Sequence, residues 1–217
     1  MVATRNPGKL GELAPMLEAA GFFAVDLASL GLAETAEEDE LESHDSFEGN
    51  ALAKARHFAA LLPGYAVLAD DSGLVVEALG GAPGVRSKRW SGRSDLKGRE
   101  LDAANNARLA RELEGVTERD ARFVCAAAWV GPDGEGGTLE MVALGDVRGR
   151  ILDGPRGEDG FGYDPYFRSE ELGRSFGESS REEKAAVSHR ARAVRALLES
   201  LPASVTTSGE EQDRGAR

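Results

Sequence analysis

The chain has 217 residues, 41% hydrophobic and 29% charged, and a chain of that size buries a sizeable core without disulfide or metal staples. Its 38 Asp and Glu against 26 Lys and Arg leave a net charge of −12, which repels a phosphate polymer and argues against sequence-independent nucleic-acid binding. A small anion held by a few placed cations, with a divalent metal as bridge, remains compatible with that charge.

Met1 to Ala3 is a very short apolar start. Leu10, Leu13, Leu17 and Ala20 then recur at helical spacing up to Gly21, predicting an amphipathic helix with a glycine stop. Phe22 to Leu27 reads as a strand, and the six acidic residues between Glu34 and Glu42 as a solvated loop. Asp45-Ser46 opens a second helix over 47–62, stopped by Pro63-Gly64. Tyr65 to Ala69 is an apolar strand that ends at Asp70-Asp71-Ser72-Gly73, and Leu96 to Glu114 a polar-faced helix with Leu101, Leu109 and Leu113 inward. Phe123 to Val130 and Thr138 to Val147 form a hairpin about Gly131-Pro132-Asp133-Gly134. The only cysteine, Cys125, lies in the first of these apolar runs and reads as core. A last helix starts at the capping box Ser180-x-x-Glu183 and carries Val187, Ala191, Val194, Leu198 and Leu201 inward. The alternation is that of one α/β domain over residues 1–203 with a mixed sheet, and the polar stretch 204–217 is expected to be disordered.

No apolar stretch is long enough to span a membrane, and the N-terminus lacks the basic head and apolar run of a signal peptide, so the cytoplasm is the expected compartment. His44, His57, His189 and Cys125 are too scattered for a zinc site. A bound metal would therefore be held by carboxylates, which suits Mg²⁺ or Mn²⁺.

Four segments carry chemistry-bearing residues. Thr4-Arg5-Asn6-Pro7-Gly8-Lys9 joins the opening strand to a helix N-terminus, a place for free N–H groups, a positive dipole end and the Lys9 charge to meet a phosphate; an ordinary turn is the competing reading. Asp70 and Asp71 are two adjacent carboxylates after an apolar strand, a repulsion that a divalent cation removes and an Asx turn would also explain. Residues 154–165 hold four glycines with Phe161 and Tyr163, which suits a flat base as well as a flexible loop. On a regular helix Lys184 and Arg190 flank the buried stripe at about 60° on either side, while His189 falls about 200° away, in water. Only a break near Ser188-His189 would turn that imidazole inward.

With those segments in place, the chain resembles the inosine/xanthosine triphosphate pyrophosphatases, enzymes that remove aberrant purine nucleotides. The stretches that carry the resemblance are ATRNPGK (3–9), SFEGNALAKAR (46–56), ADDSGLVVEALGGAPGVRSKRWSG (69–92), PRGEDGFGYDPYF (155–167) and EEKAAVSHRARA (182–193). The resemblance implies an elongated mixed sheet with flanking helices in two lobes around a nucleotide cleft, in a homodimer. It implies Mg²⁺ and hydrolysis of a nucleoside triphosphate to monophosphate and pyrophosphate. Carried over by position, it makes Asp71 the catalytic base and a metal ligand, with Asp70 and Glu42 as the other metal carboxylates and Glu40 as the alternative to Glu42. Thr4, Arg5, Asn6, Pro7, Gly8 and Lys9 then form the triphosphate-binding turn, and Ser72 is a substrate contact. Phe161, Gly162, Tyr163 and Asp164 form the base segment, and Lys184, His189 and Arg190 complete the substrate contacts. Two positions depart from the usual pattern: Arg5 stands where glycine is common, and Arg86 where an aromatic is common. A nucleotide sensor without turnover and a pyrophosphatase of modified pyrimidine nucleotides are the competing functions.

Overall fold

The computed structural model describes residues 1–207. Its helices are α1 (Pro7–Ala19), α2 (Phe47–Leu61), α3 (Gly98–Glu112), α4 (Arg181–Val187), α5 (His189–Glu199) and α6 (Ala203–Thr207). Its strands are β1 (Val67–Val76), β2 (Asp120–Pro132), β3 (Thr138–Ile151) and β4 (Phe167–Ser169), hydrogen-bonded in the order β1-β2-β3-β4. β3 and β4 pair antiparallel, with Ile151 opposite Phe167. Val2 adds parallel bridges to Leu68 of β1 and to Asp26, so the sheet is mixed, as the alternation predicts.

The chain folds as two compact units. The first comprises residues 1–71, 126–145 and 190 onward; the second comprises 72–125 and 146–189. The backbone passes from one to the other within β1, β2 and β3 and at the start of α5. In the first unit, Ala51, Ala55 and Phe58 of α2 meet Ala69, Ala126, Ala128 and Val130 of the sheet. Those alanines leave room for helix and sheet to approach closely, and Gly131 allows Ala66 even closer, where a Cβ would sit 2.7 Å from its Cα. In the second unit, Leu109 and Leu113 pack with Phe123, Tyr163, Phe167 and Phe176.

Local signals account for much of this. Ser46 caps α2 by accepting from the Gly49 N–H, and the Ser180–Glu183 capping box opens α4. Asp133 organises the β2–β3 turn, its Oδ1 accepting from the Glu135 and Gly137 N–H groups at 2.8 Å each.

Four expectations change. Phe22 to Leu27 is not a strand; only Asp26 makes a bridge there, because the partner segment at Val2 is too short to extend the pairing. Asp70 and Asp71 do not follow β1 but lie inside it. The last helix is two helices, since Ser188 takes an extended conformation (ψ 153°) between α4 and α5. That step shifts the phase, so Leu197 rather than Leu198 is buried beside Ala191, Val194 and Leu201. Finally, Ser204 to Thr207 belongs to α6, and the Ser204 hydroxyl donates to the Asp133 carbonyl; the remaining residues of the expected tail lie outside those described.

Candidate active site

In the first unit a set of charges assembles around the middle of β1. Neighbouring side chains of a strand point to opposite faces, so Asp70 and Asp71 enter different surroundings. Asp70 is buried, and its Oδ2 accepts from Lys9 Nζ at 2.9 Å and from Arg190 Nε at 3.0 Å. Burial works to raise its pKa, but Lys9, Arg190 and Lys54 outweigh that and hold the carboxyl well below the usual range. Arg190, only 1% exposed, spends another nitrogen on Glu12 of α1. Asp70 is thus paired with two cations, and the Arg190 guanidinium with two carboxylates.

Asp71 differs. Its Oδ2 accepts from Asn50 Nδ2 of α2 at 2.9 Å, which fixes the carboxylate plane. Burial is the largest influence and raises its pKa; Glu42 pushes the same way, while Lys9, Lys54 and Asn50 oppose. Lys54, one turn beyond Asn50 on α2, pairs with Glu42 at 2.8 Å and donates to the Asp70 carbonyl at 2.9 Å. Burial works to lower its pKa, but Glu42, then Asp70 and Asp71, prevail and raise it. Glu40, by contrast, lies exposed at the end of a 3₁₀ turn (Ala36–Glu40), so Glu42 is the carboxylate that keeps company with Asp71.

The turn before α1 is less open than expected. Asn6 is the N-cap, and its Oδ1 accepts from the Gly8 and Lys9 N–H groups at 2.8 and 3.3 Å; Pro7 has no N–H to offer. The Thr4 hydroxyl oxygen accepts from the Asn6 N–H at 3.2 Å. Of this turn, Lys9 delivers its charge to the Asp70–Asp71 pair. Arg5 turns elsewhere: it forks onto Glu38 and donates to the Leu32 and Ala33 carbonyls, tying down the acidic segment. Its side chain braces that segment.

In the second unit the glycine-rich loop is organised about Asp164, only 2% exposed. Asp164 Oδ2 accepts from the Phe161 N–H at 2.9 Å and from Lys184 Nζ at 2.6 Å. A Cβ at Gly160 would lie 2.2 Å from that oxygen, so glycine is required there. Lys184 Nζ also sits 4.6 Å from the Phe161 ring centroid. Tyr163 is buried, and its hydroxyl donates to the Ser87 carbonyl at 2.8 Å. Phe161 is the aromatic left partly exposed. His189 is turned inward by the break at Ser188 and stacks on Phe123, centroids 4.7 Å apart. Ser72, half-buried, is the first residue of this unit on β1.

The sequence reading did not single out Asn50, Glu12 or Phe123. The spacing of Asn50 to Lys54 and of Lys9 to Glu12, each one helical turn, is the signal that was available for the first two.

A mixed α/β fold with a buried carboxylate–lysine cage and an aromatic, glycine-rich loop has the equipment of an acid-anhydride hydrolase. Residues 1–200 match the Ham1 family. The dITP/XTP pyrophosphatase of Ralstonia nicotianae is 45% identical over 201 residues, covering 93% of this chain and 95% of that protein. Among solved structures, the Staphylococcus aureus Ham1 protein superposes with a TM-score of 0.75 at 35% identity, over 91% of this chain and 95% of its own. The Mycobacterium abscessus nucleoside-triphosphatase, a dITP/XTP pyrophosphatase, does so with 0.66 at 46% identity, over 91% and 97%. The chain belongs to the Ham1 family.

Proposed function

We propose that this protein hydrolyses deaminated purine nucleoside triphosphates (dITP, ITP and XTP) to the monophosphate and pyrophosphate. The observation that carries the reading is Asp71, a buried carboxylate whose pKa is raised, held in plane by Asn50 and flanked by Lys9, Lys54 and Glu42. A carboxylate with raised proton affinity is a better general base. In the reaction, water attacks the α-phosphorus and gives its proton to Asp71. The bond from that phosphorus to the bridging oxygen breaks, and pyrophosphate leaves with the oxygen. Lys9 and Lys54 supply positive charge towards which the triphosphate is drawn.

Among the described residues no group of three or more carboxylates, imidazoles or thiols is gathered as a metal site, so the divalent cation rests on the pair Asp71 and Glu42. Glu42 raises the pKa of Asp71, a like-charge cost that a shared dication removes, and neither thiol nor imidazole belongs to the pair. Asp71 and Glu42 would hold Mg²⁺, whose charge would offset that of the phosphates. The base is assigned to the loop of the second unit, where Phe161 offers a stacking face and Lys184 and His189 offer donors for a 6-oxo group. Adenine, with an amino group there, leaves those donors unpaired. A cytoplasmic homodimer completes the proposal. No helix among the described residues is long and apolar enough to cross a membrane, in keeping with that reading, and the dimer is to be tested by light scattering on the purified protein.

The test is to incubate the protein with ITP, GTP and ATP in Mg²⁺ and to assay pyrophosphate against orthophosphate. Pyrophosphate released from ITP far faster than from GTP or ATP is expected. Binding without release would make the protein a sensor, and orthophosphate as first product would rule out attack at the α-phosphorus.

A further inference from the structure

We infer that Asp102 and Asn106 of α3, which take no part in the mechanism above, are positioning residues that set base selectivity by clamping Gly162. The inference rests on the proposed reading of residues 161–164 as the base segment. Asp102 and Asn106 are four residues apart, on one face of α3. The Gly162 N–H donates to Asp102 Oδ2 at 2.9 Å, and Asn106 Nδ2 donates to the Gly162 carbonyl at 2.8 Å. One of these groups belongs to the peptide plane before Gly162 and the other to the plane after it. The two bonds together therefore fix the path of the backbone on both sides, between Phe161 and Tyr163. Gly162 itself has φ +62°, and a Cβ there would meet nothing, so glycine serves the conformation rather than the space.

The rest of α3 behaves as part of the same jig. Asn105, the adjacent residue, accepts from the Ser91 N–H at 2.7 Å and donates to the Lys88 carbonyl at 3.0 Å. The Tyr163 hydroxyl reaches the Ser87 carbonyl in the same turn. One helix thus holds both the loop and the turn to which the loop is bonded.

Asn106 adds an independent observation. It is 8% exposed, and its Oδ1 has no hydrogen-bond partner among the described residues. A buried amide with one half unsatisfied costs stability, and an apolar side chain at this position would avoid that cost. What the asparagine supplies in return is the Nδ2–H on Gly162. A buried amide that pairs only its Nδ2, and pairs it with the backbone of the loop that carries Phe161 and the Lys184 partner Asp164, is the mark of a positioning role.

The experiment compares wild type with Asp102→Ala, Asp102→Asn and Asn106→Leu. Amide exchange at Gly162, read by NMR, should quicken by about 10-fold or more in Asp102→Ala and stay near wild type in Asp102→Asn, whose amide oxygen still accepts. KM for ITP should rise about 10-fold in Asp102→Ala and Asn106→Leu, and the ITP-over-GTP preference should fall by about the same factor. The kcat for ITP should stay within about 2-fold, and Asp102→Asn should restore the preference. Asn106→Leu should melt no lower than wild type. Folded Asp102→Ala and Asn106→Leu proteins with wild-type KM and preference would overturn the clamp alone. A wild-type protein with no preference for ITP would instead overturn the base-segment reading and the selectivity role with it. Unchanged Gly162 exchange in Asp102→Ala would overturn the clamp whatever the activity.

Discussion

The two units hold their candidate site residues by different physics. Among the described residues the first carries 17 Asp and Glu against 7 Lys and Arg and the second 18 against 17, so their net charge resides almost wholly in the first. There, Asp70, Arg190 and Glu12 form a buried ionic chain, and burial of each charge is offset only because its partners are in place. In the second unit the loop is held by backbone hydrogen bonds, by the Asp164–Lys184 pair and by stacked rings. Removal of one partner should therefore be costly to the fold in the first unit, and costly mainly to loop geometry in the second. An ionic cage suits a strongly charged triphosphate. A backbone-clamped aromatic loop suits a flat, neutral base whose edge must be read by shape and by donors.

Substitutions can break or sharpen that contrast. The largest effect is expected for Asp71→Asn, which removes the proposed base and one proposed metal carboxylate but keeps the volume. The kcat for pyrophosphate release should fall about 10³-fold, far more than substrate affinity falls, read by steady-state kinetics and calorimetric titration. Arg190→Ala leaves Asp70 and Glu12 without one partner in a buried setting and should cost about 3 kcal/mol in a denaturant titration. His189→Ala, in the other unit, should raise KM for ITP about 10-fold through loss of the ring stacked on Phe123, with kcat far less affected. If His189→Ala instead unfolds the protein as readily as Arg190→Ala, the contrast fails.

The smallest effect is expected at the Arg5 brace. The fork on Glu38 holds that carboxyl below its ordinary range, chiefly through the hydrogen bonds from Arg5. A depressed carboxyl pKa stabilises the fold above the unfolded value near 4.5 and ceases to do so as pH falls through the folded value. Arg5→Ala should accordingly lower stability by about 1 kcal/mol at pH 7, and the gap to wild type should narrow as pH falls below the unfolded value and through the lower folded one. A gap that stays constant with pH would mean that the carbonyls of Leu32 and Ala33, not Glu38, are what Arg5 serves.

Features written within a few neighbouring residues were legible before any fold was known. Ser46 and the Ser180–Glu183 box mark helix starts, Asp133 marks the hairpin, and the motif stretches mark Lys9, Asp71, Phe161 and Lys184. Such features depend on side-chain-to-backbone bonds and on periodicity, which act over one helical turn or one β-turn. What tertiary structure alone decided is the company each residue keeps. Arg190 meets Asp70 and Glu12 across 120 and 178 residues of chain, Tyr163 is drawn into the core by a carbonyl 76 residues away, and Arg5 is spent on a segment some thirty residues on. The one extended residue at Ser188 turns His189 from solvent to Phe123, a choice set by packing in the second unit and not by the helical period of the segment. Pairing over such distances follows from which surfaces the fold buries together, because a charge or a hydroxyl leaves water only where a partner already waits.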